Sequence, residues 1–206
     1  MSERYPDKYL IGLTGNIAVG KSLVREMLSE LGAVTIDADH IAHQVIRKGE
    51  AAYEHIIDAF GAGILDGDGE IVRAALGEIV FADPARLKEL EGITHPAIRR
   101  RIDLLVREAD ARVVVIEAIK LLEGELKNAV DSVWVVDASP RMQRQRLISA
   151  RGLSPAEAER RMALQNSQAD KLRQADIVIR NDGDARETRA QVEWAWGKLP
   201  VRTNEL

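Results

Sequence analysis

Residues 10–24, LIGLTGNIAVGKSLV, constrain the fold of this chain more than any other stretch. The apolar run at 9–14 is too short for a helix and too continuous for a strand with one wet face. It reads as a strand covered on both sides, the kind found in parallel α/β sheets. Immediately after it, Gly15, Gly20, Lys21 and Ser22 satisfy the spacing G-x-x-x-x-G-K-[ST]. The glycines let backbone N–H groups curl around an anion, the lysine reaches the β- and γ-phosphates, and the serine hydroxyl is a ligand for Mg²⁺. A helix opening at Lys21 adds the positive end of its dipole. The turn is built to hold a nucleoside triphosphate.

Further β-rich runs follow at 33–37, 112–117, 132–137 and 176–181, separated by helical stretches. That alternation predicts an α/β fold with a five-stranded parallel sheet. The stretch between the second and third strands is far longer than one crossover needs. Its periodicity predicts helices at 40–47, 52–60, 73–81, 85–91 and 96–109, a helical substrate-binding insertion. Residues 140–174 are helical and Arg-rich, broken by RGLSP at 151–155, and read as a lid over the nucleotide. A last helix is expected from about Asp184 to Lys198. The expected division is a single domain with a nucleotide-binding core (9–47, 110–139 and 175–200), the insertion (48–109) and the lid (140–174).

Composition narrows the setting. The 206 residues contain no cysteine, which excludes disulfides and thiolate metal sites and favours a reducing, cytoplasmic location. A net charge of −4 argues against a general nucleic-acid binder. The apolar runs are too short to span a membrane, and the polar N-terminus does not read as a signal segment.

Acids cluster where strands end. Asp37 and Asp39 follow the second strand, and residues at the C-terminal ends of parallel strands line the ligand crevice. One carboxylate suits a general base for an attacking hydroxyl and the other a Mg²⁺-orienting group, with helix capping as the competing use. Glu117 ends the third strand, where a second metal-side acid is expected. Asp137, just before Ser139-Pro140, reads as a turn or cap residue. The LDGDGE run at 65–70 lacks the glycine and glutamate of a calcium loop and is a turn. Of the arginines 141, 144, 146, 151, 160 and 161, most belong to a solvated face and one or two clamp phosphates. Arg151, at the break before Gly152, is best placed to swing. His95, before Pro96, reads as a helix-start residue, and Trp194 and Trp196 as packing residues. His43 and His55 are assigned no role.

An ordered set of segments resembles the dephospho-CoA kinase family from about Tyr9 to Trp196: IGLTGNIAVGKS, GAVTIDADHIAHQVI, ILDGDGEIVRAALGEIVFADP, ITHPAIRR, RGLSPAEAERRMALQ and ADIVIRNDGDARETRAQV. The resemblance implies a phosphate-loop (P-loop) kinase core with a helical CoA-binding lobe and a lid. It implies ATP-dependent, Mg²⁺-assisted phosphorylation of the ribose 3′-hydroxyl of dephospho-CoA by a monomer or weak homo-oligomer. Carried over, Gly15, Asn16, Ile17, Ala18, Val19, Gly20, Lys21, Ser22 and Leu23 bind ATP, with Asn181 near its adenine. Asp39 is the catalytic base, Lys21 and Arg151 assist transfer, and Ser22 and Asp37 stand at the metal. His95 lies beside the acceptor. Apart from what the resemblance implies, Asp37, Glu117 and Lys120 are counted as substrate-binding candidates. Family members commonly have glycines at positions 16 and 18. After the third strand, Glu117-Ala118-Ile119-Lys120-Leu121-Leu122-Glu123 lacks the usual proline, and Lys120 is either solvated or in contact with an anionic group of the substrate. The alternatives are another small-molecule phosphate-loop kinase, acting on a nucleoside monophosphate or sugar acid, and a non-catalytic ATP-binding module.

Overall fold

In a computed structural model that describes residues 5–201, five strands form one sheet in the order β2-β3-β1-β4-β5. They are β1 (Tyr9–Thr14), β2 (Val34–Asp37), β3 (Val113–Glu117), β4 (Ser132–Asp137) and β5 (Ile177–Arg180). β1 pairs in parallel with β3 on one side and β4 on the other, and β4 pairs in parallel with β5. Ile11 therefore stands opposite Val115 and Ser132, and Leu13 opposite Glu117 and Trp134. Every residue of β3 is buried, as a strand with two covered faces requires.

One face of the sheet carries Ile11, Leu13, Val113, Val115, Trp134, Val136 and Ile179 into a core. There they meet Val24, Met27 and Leu28 of α1 (Lys21–Glu30) and Val192, Ala195 and Trp196 of the C-terminal helix, Ala185–Trp196. That helix splits the two expected packing tryptophans: Trp196 is 9% exposed and Trp194 63%. The buried stripe is Thr188, Val192, Ala195 and Trp196, and Trp194 falls off it, covered in part by Lys198 at 5.9 Å from the ring.

The chain forms two compact units, one of residues up to Ile36 together with Ala109 onward, the other Asp37–Glu108. The second unit is helical: α2 (Ala38–Gln44), α3 (Tyr53–Phe60), α4 (Arg73–Ala82) and α5 (Pro84–Glu108). Its turn at 65–71 closes with a bridge between Leu65 and Ile71. The Asp66 carboxylate accepts from the N–H groups of Asp68 and Glu70, so this acid serves the turn. The two helices expected at 85–91 and 96–109 are one helix that runs through Pro96, and His95 lies in its middle rather than at a start. Proline at 96 has no N–H for the carbonyl of Gly92 and presses its ring on that turn. Gly92 has no side chain, which leaves the backbone room to give.

Within the first unit, 140–173 is helical in three pieces: α6 (Pro140–Arg151), α7 (Pro155–Ala163) and α8 (Gln168–Arg173), followed after β5 by α9 (Ala185–Trp196). Ser139, Ser154 and Ser167 cap the first three, each hydroxyl accepting from a backbone N–H three residues on. Gly152 ends α6 in the left-handed conformation, φ 64°.

Candidate active site

The turn from Gly15 to Gly20 owes its shape to three left-handed residues, Gly15 (φ 149°), Ala18 (φ 59°) and Gly20 (φ 98°). At Gly15 a Cβ would stand 2.5 Å from the carbonyl oxygen of Val136, and at Gly20 it would collide with the Asn181 side chain. Both positions therefore need glycine for space as well as conformation. Ala18 is the one described non-glycine residue with positive φ. Its surroundings hold it there at a cost of about 1–2 kcal/mol. Val19 anchors the turn in the core, and Leu23 packs against the same cluster. Lys21 spans the turn and donates to the Gly15 carbonyl at 3.1 Å. Ser22 is exposed in the first turn of α1, whose N-cap is Gly20.

Both ends of the 140–174 segment grip this turn. From α6, Arg146 donates through one nitrogen to the carbonyls of Ala18 (3.2 Å) and Val19 (3.1 Å) and through the other to that of Asn181 (2.7 Å). Asn181 is 3% exposed; its amide donates to Val19 O at 2.8 Å and accepts from Thr188 at 3.0 Å. Its side chain is thus a post between the loop and α9. From the other end, Gln165 accepts from Ile17 N at 2.9 Å, Gln168 accepts from Asn16 N at 3.1 Å, and Asn166 O accepts from the Asn16 side chain at 3.0 Å. Asn16 is 8% exposed, and its Oδ1 has no hydrogen-bond partner. Motif reading passes over Gln165, Asn166 and Gln168, and it counts Arg146 only as one of several arginines. The available signal was the MALQ end of the lid segment.

The strand-end acids have different surroundings. Glu117 is 9% exposed, and its Oε2 lies 3.1 Å from the Arg25 guanidinium without hydrogen-bond alignment. Just beyond it, the Ile119 carbonyl accepts from Thr14 (3.2 Å) and from Lys171 (3.1 Å), a lysine only 5% exposed. Lys120 is exposed. Asp137 accepts from Gln168 and pairs with Arg180 at 3.3 Å, while Ser139, not Asp137, caps α6. The Asp182 carboxylate accepts from Ser139 N at 2.6 Å, and the bonds from Ser139 hold its pKa below the usual range. Arg151 is exposed in the last turn of α6, Arg144 pairs with Glu159 at 3.0 Å, and Arg160 and Arg161 both grip Glu157.

In the helical unit, Asp37 caps α2, accepting from His40 N at 2.9 Å, and Asp39 lies in the first turn of that helix. His43, one turn on, has its pKa lowered by burial and by Arg73, against the opposing pull of Asp39. His95 is exposed on α5.

A family model described as dephospho-CoA kinase matches residues 9–187. The dephospho-CoA kinase of Symbiobacterium thermophilum is 48% identical over 91% of this chain and 80% of its own length. That of Geobacter sulfurreducens is 44% identical over 92% and 98%. Among solved structures, a Thermus thermophilus protein superposes with a TM-score of 0.82 at 28% identity, covering 94% of this chain and 99% of that one. The dephospho-CoA kinase of Campylobacter jejuni superposes at 0.64 with 30% identity, covering 93% and 96%. A shikimate kinase from Bacteroides thetaiotaomicron, at 0.52 and 16% identity, shares the fold alone.

Proposed function

Because the chain belongs to the dephospho-CoA kinase family, we propose that its phosphate loop, acids and lid divide the work of one phosphoryl transfer among named residues. The enzyme transfers the γ-phosphoryl group of ATP to the ribose 3′-hydroxyl of dephospho-CoA, the last step of coenzyme A biosynthesis. In a loose transition state of this kind there is little covalent work for the protein, and catalysis is positioning plus charge stabilisation. Backbone N–H groups of the turn from Ala18 to Ser22 hold the β-phosphate, those of Asn16 and Ile17 being bonded to Gln168 and Gln165, and the Lys21 ammonium leaves the Gly15 carbonyl for the β- and γ-phosphate oxygens. Asp39 orients the acceptor hydroxyl and takes its proton late. Arg151 closes on the transferring group from the lid, and Glu117, Lys120 and His95 contact the acceptor. Asn181 acts near the adenine through the loop backbone that its side chain holds.

The donor set suits Mg²⁺. Ser22 offers an exposed hydroxyl in the first turn of α1, and the described residues contain no group of three or more carboxylates or imidazoles fit for a metal. That is the pattern expected for an ion held mostly by phosphate oxygens and water. Ser22 and Asp37 would hold it, and when bound it neutralises charge on the β- and γ-phosphates.

No helix among the described residues is long and apolar enough to cross a membrane. A chain without cysteine suits a reducing compartment, and we place the enzyme in the cytoplasm, working on small molecules alone as a monomer or weak homo-oligomer. The observation that carries the reading is the loop itself: a strand–turn–helix with two obligatory glycines and Lys21 across its mouth. The test is ADP release with dephospho-CoA beside AMP, CMP, shikimate and gluconate, with and without Mg²⁺. Dephospho-CoA should stimulate release far beyond the others and only with the metal. Equal turnover of a nucleoside monophosphate would refute the acceptor assignment.

A further inference from the structure

Four backbone groups of the phosphate loop are hydrogen-bonded by side chains from both ends of the lid segment. On the Arg146 side the bonds go to carbonyls, those of Ala18 and Val19. On the α8 side they go to N–H groups, those of Asn16 and Ile17. The orientation of the Gln168 carboxamide is fixed by its neighbours: Nε2 donates to Val136 O (3.0 Å) and Asp137 Oδ1 (3.0 Å), so Oε1 must face Asn16 N. A flipped amide would set two acceptors against each other and two donors against each other. Gln165 has the simpler task of accepting from Ile17 N.

We propose that Gln165 and Gln168 are positioning residues for the phosphate loop, holding the N–H groups of Asn16 and Ile17 outward so that the following turn is preset for a β-phosphate. The inference rests on the reading of the loop as the nucleoside-phosphate site. An isolated turn with three left-handed residues would relax when empty, and the ligand would have to rebuild it on binding. Fixing these peptide groups removes that ordering cost from the binding step. It also ties the loop to the exit of the lid segment, so the two elements that must cooperate share one hydrogen-bonded frame.

The test is the affinity of the full-length enzyme for ADP and for AMP, measured by calorimetry in the wild type and in Gln165→Met, Gln168→Met and the double variant. AMP carries no β-phosphate and serves as the internal control. Each glutamine bond is a neutral hydrogen bond, so each single change should weaken ADP about 3- to 10-fold and the double change about 10- to 100-fold. AMP affinity should stay constant, so the ADP-to-AMP ratio falls. Gln165→Met is the cleaner probe, because Gln168 also bonds β4 and its loss can lower the melting temperature. The amide proton of Ile17 should exchange faster in Gln165→Met than in the wild type. ADP and AMP weakening in parallel would show a merely structural role and overturn the proposal, as would an unchanged ADP affinity or unchanged exchange at Ile17. A wild type that binds ADP no better than AMP would overturn the loop reading and the proposal with it.

Discussion

Arg146→Ala removes one guanidinium and three bonds at once, and its cost can be built up from the contacts. One nitrogen is shared between Ala18 O at 3.2 Å and Val19 O at 3.1 Å; the other makes a short bond of 2.7 Å to Asn181 O. A bond from a charged donor contributes about 1.5–3 kcal/mol. The shared pair counts as about one such bond, and the arginine is only half-buried, so water can replace part of it. The net expectation is a destabilisation of about 2–3 kcal/mol. The same bonds hold Ala18 at φ 59°, a conformation costing about 1–2 kcal/mol, so the empty loop should relax once they are gone. ADP must then rebuild it, and its affinity should fall about tenfold, equivalent to 1.4 kcal/mol. Urea denaturation gives the first quantity and calorimetry with ADP the second. Ala18→Gly in the Arg146→Ala background should recover part of the ADP affinity, because glycine adopts this φ without strain. A variant within about 0.5 kcal/mol of the wild type that binds ADP normally would refute the view that Arg146 braces the loop.

Gly15→Ala should be severe, because the new methyl meets Val136 O at 2.5 Å on a backbone with φ 149°; a loss of about 2–5 kcal/mol, read by thermal melting, is expected, and near-normal stability would contradict the loop geometry. Asp39→Asn should lower turnover about 10²- to 10⁴-fold with little change in ATP affinity, whereas part of the loss in Asp37→Asn should return with added Mg²⁺. Rescue of the Asp39 variant but not the Asp37 variant in a magnesium titration would reverse the two roles. Glu157 accepts from Arg160 and Arg161, and those bonds pull its pKa from 4.5 to about 2. A depressed carboxylate stabilises the fold fully above its unfolded pKa and loses that contribution as pH falls through the folded one. The α7 contacts should therefore persist well below pH 4.5 and fail near 2, and a side-chain NMR titration giving an ordinary glutamate value would show that the bonds do not form in solution.

What the sequence determined by itself is local chemistry. The spacing from Gly15 to Ser22 lies within one strand–turn–helix, so the backbone conformations and the ligand class follow from residues a few positions apart. Unbroken apolar runs such as VVVI marked strands covered on both faces, because a half-exposed strand would have alternated. Helix punctuation was legible for the same reason at Gly152 and Ser154-Pro155, where cap and break are adjacent in the chain. It failed at Pro96, since whether a helix absorbs a proline depends on the turn before it and on packing. Period alone did not decide which of Trp194 and Trp196 faces inward, because that choice belongs to the stripe the core selects. Only the tertiary structure decided the strand order and the neighbours of the phosphate loop. β1 lies between β3 and β4, and hydrogen bonds between strands leave no mark on the order of residues in either. Arg146, Gln165 and Gln168 reach the loop from more than a hundred positions away. Their partners are backbone N–H and C=O groups, which every residue carries and no side-chain motif can announce.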